Sequence, residues 1–223
     1  FAGEEFFEAT GEGYSCDGTI MSNHQPVKPS EALTKIIETM VHCNNAAVRS
    51  KPEGGWEMIG DGTEGALMAF AGKYDRAYLD LRDRQRRQAE IPFDSKIKFM
   101  VTVTPESAGY KAHLKGSLES VLAHCTHYMS KTGVRPLSSE DREKILKINL
   151  SYADEALRVL GLAAKDLPKT LDLDAFVNED QGGYTFLGLT GMMDLPRPEV
   201  IDAVAKRKKA GIRVVMITGD HAA

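Results

Sequence analysis

Between residues 96 and 104 hydrophobic and polar positions alternate. Phe99, Val101 and Val103 fall on one face, and Met100, Thr102 and Thr104 on the other. A period of two, rich in β-branched residues, predicts a half-buried strand. Pro105-Glu106-Ser107-Ala108-Gly109 has turn chemistry. Residues 110–114 return as a second strand, which Lys115-Gly116 closes. Ser117 is then placed to cap a helix with Leu118, Val121 and Leu122 apolar at helical spacing. If Phe93 leads into the first strand, the hairpin brings this aromatic near the cations Lys98 and Lys115. An aromatic face beside cations suits a flat base carrying phosphates.

The same periodicities place the other elements. Residues 4–10 predict a strand and 23–29 a loop. Ser30 starts a helix with Leu33, Ile36, Ile37, Met40 and Val41 on one face, running out near Asn44-Asn45. Residues 56–59 predict a short strand. Asp61 and Glu64 then open a helix with the spacing of a capping box. The charged segment 76–87 reads as helical and mostly solvated, and 128–135 as irregular or a short edge strand. Ser138-Ser139-Glu140-Asp141 caps a long helix whose buried side carries Ile145, Ile148 and Tyr152. Residues 158–165 and 184–192 read as buried strands, with a surface loop over 166–183 between them. A helix with Val200, Ile201 and Val204 follows. Lys206–Lys209 lie at its end, where the dipole favours cations, and Gly211 terminates it. Residues 212–217 predict a buried strand ending in Thr218-Gly219-Asp220. That is half of a parallel α/β unit without its neighbours, an edge prone to pair with another chain.

Composition narrows the reading. The 223 residues are 42% hydrophobic and 27% charged, as in an ordinary globular protein. A net charge of −4 gives no broad electrostatic case for nucleic acid or an anionic membrane. Cys16, Cys43 and Cys125, odd in number and far apart, fit a reduced setting better than a disulfide framework. The longest apolar runs are too short to span a bilayer. A chain that starts at Phe1 and stops just after a Thr-Gly-Asp turn reads as a piece of something longer.

Read from residue type alone, several positions stay open. Phe93 fits either a core or a strand mouth. Glu64 fits a helix N-terminal charge, Lys98 an exposed strand lysine, and Arg158 a helix-end cation. Lys115 before Gly116 points more to a ligand, because glycine permits close approach to the backbone. Thr218-Gly219-Asp220 sits where open α/β sheets bind ligands. His124-Cys125-x-His127 lacks a second ligand cluster, so no metal site is assigned.

Six ordered segments then carry a resemblance. They are G-D-G-T-E-G-A-L (60–67), I-P-F-D-S-K-I-K-F-M (91–100), L-K-G-S-L-E (114–119), L-R-V-L-G-L-A (157–163), T-F-L-G-L-T-G-M-M-D-L-P-R-P-E-V (185–200) and G-I-R-V-V-M-I-T-G-D-H (211–221). Together, across nearly the whole chain, they resemble the cytosolic nucleotide-binding domain of type II P-type cation ATPases, the calcium-pump-like transporters. The resemblance implies an α+β fold, an antiparallel sheet flanked by helices, over residues 1–191. Residues 192–223 would be a partial α/β unit from the phosphorylation domain. It implies ATP as ligand, with Phe93 stacking on adenine, Glu64 reaching its amino group, Lys98 flanking the nucleotide, Lys115 and Gly116 at the pocket floor and Arg158 at the phosphates. Asp194, Arg197, Thr218, Gly219 and Asp220 match elements that position the γ-phosphate and Mg²⁺. The partners implied are the phosphorylation, actuator and membrane domains of a cation pump, with this piece on the cytoplasmic side.

The chain departs from the family in four places. It has neither the D-K-T-G-T segment with the phosphorylated aspartate nor the G-D-G-x-N-D magnesium site. Lys115-Gly116-Ser117 replaces K-G-A, and Asp94-Ser95-Lys96 offers no arginine after the stacking phenylalanine. The competing expectations are a haloacid-dehalogenase-type phosphatase, suggested by the Thr-Gly-Asp turn, and a scaffold that has kept the fold and lost its nucleotide.

Overall fold

The hairpin expected around residues 96–116 forms, and it lies at the heart of a larger sheet. The computed structural model describes residues 1–179, 182–193 and 198–215, without the side chains of 179, 198 and 199. The N-terminal half contains β1 (Glu8–Ala9), β2 (Ile20–Ser22), β3 (Gln25–Pro26), α1 (Glu31–His42), β4 (Ala47–Ser50), β5 (Trp56–Ile59) and α2 (Gly62–Tyr74). A 3-10 turn (Arg76–Asp80) and α3 (Leu81–Arg84) lead to β6 (Ala89–Ile91), β7 (Phe99–Glu106), β8 (Gly109–Gly116) and α4 (Leu118–His124). Then come β9 (Cys125–Ser130), β10 (Gly133–Pro136), α5 (Ser139–Asp154), β11 (Arg158–Pro168), α6 (Leu173–Glu179), β12 (Tyr184–Met192) and α7 (Pro198–Lys209).

Among the described residues seven strands form one sheet in the order β10-β9-β12-β11-β8-β7-β6. Every neighbouring pair is antiparallel except β12 beside β9. The architecture is the expected α+β sheet flanked by helices. On one face Val101, Val103, Leu114, Ala163 and Phe186 pack with Leu118 and Val121 of α4 and Ile145 of α5. On the other, Leu162 and Leu187 pack with Leu33, Ile36 and Met40 of α1 and Leu67 and Met68 of α2.

Burial on both faces revises the reading of β7 as half-buried. Met100, Thr102 and Thr104 are as buried as Val101 and Val103. Threonine resembles a solvent-side residue in the alternation, but here α1 covers it. The hydroxyl of Thr102 donates to the His42 carbonyl, and that of Thr104 lies 3.1 Å from His113 Nε2. A buried hydroxyl with a partner carries little penalty.

Local chemistry set several boundaries as expected. Ser30 caps α1 by accepting from Leu33 N, and Ser117 caps α4 by accepting from Ser120 N. Ser138 and Asp141 cap α5 reciprocally. Asp141 also receives Arg135 on both carboxylate oxygens, at 2.5 and 2.7 Å, which holds its pKa well below the usual carboxylate range. Gly211, at φ +72°, follows the last turn of α7 in a conformation that favours glycine.

Other expectations are corrected. The strand predicted over 4–10 shrinks to β1, because the residues before it turn back in a two-residue bridge between Ala2 and Glu5. The loop predicted over 166–183 contains the end of β11 and all of α6. Of the two readings of 128–135 the short edge strand holds, as β10 at the sheet edge, while 128–130 belong to its partner β9. Arg158 opens β11 rather than ending a helix. Residues 212–215 form no strand: Ile212 and Val215 are exposed, and Ile212 N donates instead to Arg207 O of α7 at 3.0 Å, with no neighbouring strand among the described residues to pair with. The rest of that predicted strand, from 216, lies outside the described residues.

Candidate functional site

The site begins with a lysine inside the protein. Lys115, near the end of β8, is only 6% exposed and faces the layer of α1 and α2. A buried ammonium needs a paired anion. Glu64, in the first turn of α2, supplies it, with Oε1 2.6 Å from Lys115 Nζ. The other oxygen, Oε2, accepts from Asn45 N at 2.9 Å.

The capping box expected at α2 is therefore only half present. Asp61 accepts from the N–H groups of Thr63 and Glu64, but the Glu64 carboxylate turns away from the helix start. A buried cation outweighs an exposed backbone N–H that water can satisfy.

The segment that leaves α1 holds this arrangement in place. Asn44 is fully buried; its amide donates to Met40 O and Glu64 O, and its Oδ1 accepts from Ala46 N. Two arginines close over the same turn. Arg82 donates to the carbonyls of Asn44 and Ala46, and Arg87 to the Asn44 carbonyl at 3.0 Å and to Asn45 Oδ1 at 3.1 Å. The segment 76–87 is thus not simply a solvated face. Periodicity could not show this, since an arginine that grips carbonyls and one that faces water look alike. The readable signal was the asparagine pair after a strongly amphipathic helix, a place where side chains bond to local backbone.

The exposed rim comes from the loop between β6 and β7. Asp94 shapes it: Oδ1 accepts from Lys96 N at 2.6 Å and its carbonyl from Lys98 N at 2.7 Å. Phe93 stands at the start of this turn, 63% exposed. Lys98, at its end, is exposed and adopts φ +59°. Its carbonyl accepts from Ser117 N at 2.9 Å, which seats the loop over the end of β8. A Cβ on Gly116 would lie 2.4 Å from that carbonyl and 2.5 Å from Phe99 Cβ. The small size of Gly116 is thus used by the neighbouring strand and loop. Arg158, exposed at the start of β11, donates to Thr63 Oγ1 at 2.8 Å, beside Glu64.

So the fold joins Glu64 to Lys115, sets Arg158 against the adjoining residue and seats Lys98 on Gly116; Phe93 is tied to them through the Asp94 turn. A cavity of about 940 Å³ lies elsewhere, between the N-terminal segment, α1, α2 and the end of β12. Among the described residues no group of three or more His, Cys, Asp or Glu is arranged to hold a metal. Asp194, Arg197, Thr218, Gly219 and Asp220 lie outside the described residues.

The family model described as P-type ATPase, cytoplasmic domain N, matches residues 32–199. The chain belongs to this family. A calcium-transporting ATPase of Listeria monocytogenes is 36% identical over 211 residues, covering 93% of this chain and 23% of that protein. Another, from Bacillus cereus, is 36% identical over 187 residues, covering 83% of this chain and 20% of its own length. A cation-transporting ATPase of Synechocystis is 35% identical over 229 residues, covering 99% of this chain and 25% of that protein. The chain thus spans a quarter or less of the length of each of these relatives. Every candidate site residue from Glu64 to Arg158 falls within the segment matched to domain N. No helix among the described residues is long and apolar enough to cross a membrane.

Proposed function

We propose that this domain N grips ATP by its base, within a cytoplasmic part of an ATP-driven cation pump. It presents the γ-phosphate to an aspartate that this chain does not contain. The observation that carries the reading is the rim itself. An uncovered aromatic, Phe93, shares a short turn with Lys98, and that turn sits on the strand that buries Lys115 against Glu64. Glu64 retains acceptor capacity, since a carboxylate offers about four lone-pair sites, of which Asn45 N and Lys115 Nζ take two. Such a carboxylate suits an amino group on the base. Lys98 and Arg158 are exposed cations suited to phosphates.

Phosphoryl transfer depends mainly on positioning and charge neutralisation, so a base clamp separate from the acceptor site is chemically workable. Residues 1–191 would form the clamp. Residues 192–223 would begin the phosphorylation domain, with Asp194, Arg197, Thr218, Gly219 and Asp220 near the γ-phosphate and its Mg²⁺. The named calcium transporters among the relatives favour Ca²⁺ as the cargo of the whole pump.

An amide NMR titration with ATP, AMP and GTP tests this. Adenine-selective shifts should appear at Glu64, Phe93, Lys98 and Lys115. Phe93→Ala removes a stacking surface worth about 1–3 kcal/mol, a loss of roughly fivefold or more in affinity, and leaves the core untouched. Nucleotide should be bound without turnover. An absence of shifts with every nucleotide would leave a scaffold, and steady phosphate release abolished by Asp220→Ala would point to a self-sufficient phosphotransferase.

A further inference from the structure

The bonds around Glu64 run through a single peptide group. Asn44 C=O and Asn45 N–H belong to one plane and, in a trans peptide, point in opposite directions. The structure contains no cis peptide among its described residues. Arg82 Nη1 donates to the Asn44 oxygen at 2.6 Å and Arg87 Nη2 to the same oxygen at 3.0 Å. On the opposite side of the plane, Asn45 N donates to Glu64 Oε2 at 2.9 Å, and Glu64 Oε1 meets Lys115. Two guanidinium groups thus hold the oxygen of the peptide whose hydrogen aims the carboxylate.

This does two things. It fixes the plane, because two cations on one carbonyl resist its rotation, and Arg82 also reaches Ala46 O while Arg87 also reaches Asn45 Oδ1. It also polarises the peptide, so that its N–H is a stronger donor to an anion. Glu90 in turn holds Arg87 Nη1 at 2.5 Å. Asn44, through its amide to Glu64 O, ties the same turn to the backbone of α2.

We propose that Arg82 and Arg87 are positioning residues that aim the Glu64 carboxylate at the base through the Asn44–Asn45 peptide, and so set selectivity for a base carrying an amino group. The proposal rests on the base-binding reading above. Neither arginine touches the nucleotide.

The test has two readouts on the same chain. The first needs no nucleotide: the Asn45 amide proton should resonate downfield, as a charge-assisted donor does. It should move upfield in Glu64→Gln, in Arg82→Gln and in the conservative Arg87→Lys, which keeps the charge and loses the fork. The second compares dissociation constants for ATP and for purine riboside triphosphate, which lacks the amino group. Arg82→Gln and Arg87→Lys should weaken ATP roughly tenfold and leave the analogue nearly unchanged, whereas Phe93→Ala should weaken both alike.

An unmoved Asn45 amide in both arginine variants overturns the clamp. Equal weakening of both nucleotides overturns the selectivity role and leaves only a structural one. Wild-type protein that binds the two nucleotides equally, or binds neither, removes the base-reading role of Glu64 and the selectivity claim with it. The nucleotide-free amide shift tells that failure from a failure of the clamp. Should Arg82→Gln not fold, Arg87→Lys alone decides.

Discussion

Glu64→Leu should lower the unfolding free energy by about 3–5 kcal/mol, the usual effect of removing one partner from a buried ion pair. The Lys115 and Glu64 side chains are 7% and 16% exposed, so water replaces little of what is lost. The variant leaves the Lys115 ammonium without its anion and Asn45 N–H without its acceptor. Against a typical total of about 5–15 kcal/mol, this is a large fraction. Lys115→Met should recover much of it when combined with Glu64→Leu, because an apolar pair of similar volume does not need solvating. Urea unfolding of the two single variants and the double variant measures the coupling. A Glu64→Leu midpoint close to wild type would mean that the pair is hydrated and contributes little. Nucleotide affinity should fall in every variant that lacks Glu64, including the restabilised double. This separates what the carboxylate does for folding from what it does for the base.

The second large effect is expected in acid. His42 and His113 stack with ring centroids 4.8 Å apart, buried between α1 and β8. Both ring nitrogens of His113 lie 3.1 Å from hydroxyls, those of Thr39 and Thr104. His42 Nδ1 has no partner among the described residues. Burial lowers the His42 pKa from 6.5 to about 4; a side-chain bond to Gln85 opposes the shift, and Arg82, Arg87 and Lys111 add to it. Burial, then His42 and Lys111, push His113 well below its ordinary value. The folded values lie below the unfolded ones. Stability is therefore complete above about pH 6.5 and is lost as pH falls towards 4, while the unfolded chain takes up protons that the folded chain refuses.

For His42 alone the loss amounts to about 3 kcal/mol across that window, and His113 adds to it. Urea midpoints at several pH values between 7.5 and 4 should show the decline. His42→Phe, which keeps the stacked ring, should reduce it and leave the part due to His113. The carboxylate of Asp141, held acidic by Arg135, would release its contribution only at still lower pH. A stability that stays flat to pH 4 would mean that the rings gain solvent on protonation.

Much of the frame was written in the periodicity and caps. The β7–β8 hairpin, the apolar face of α1, the caps at Ser30, Ser117 and Ser138, and the buried strands β11 and β12 all follow from local rules acting over a few residues. The motif order named the family, and the domain N match over 32–199 agrees. Local rules could not say which polar residues go inside. Thr102 and Thr104 look like solvent-side residues in an alternating strand, and only the placement of α1 over that face buries them; Thr102 bonds His42 O of α1, and Thr104 bonds His113 of β8, which in turn meets Thr39 of α1. Glu64 had the spacing of a helix cap, yet Lys115, 51 residues away in the chain, claims its carboxylate. Arg82 and Arg87 had the look of a charged surface, and reach the Asn44 carbonyl from 38 and 43 residues away. Hydrophobic patterning and capping are nearest-neighbour effects, which the chain itself determines. The pairing of buried charges is decided by which elements are stacked together, and so it became visible only in the tertiary structure.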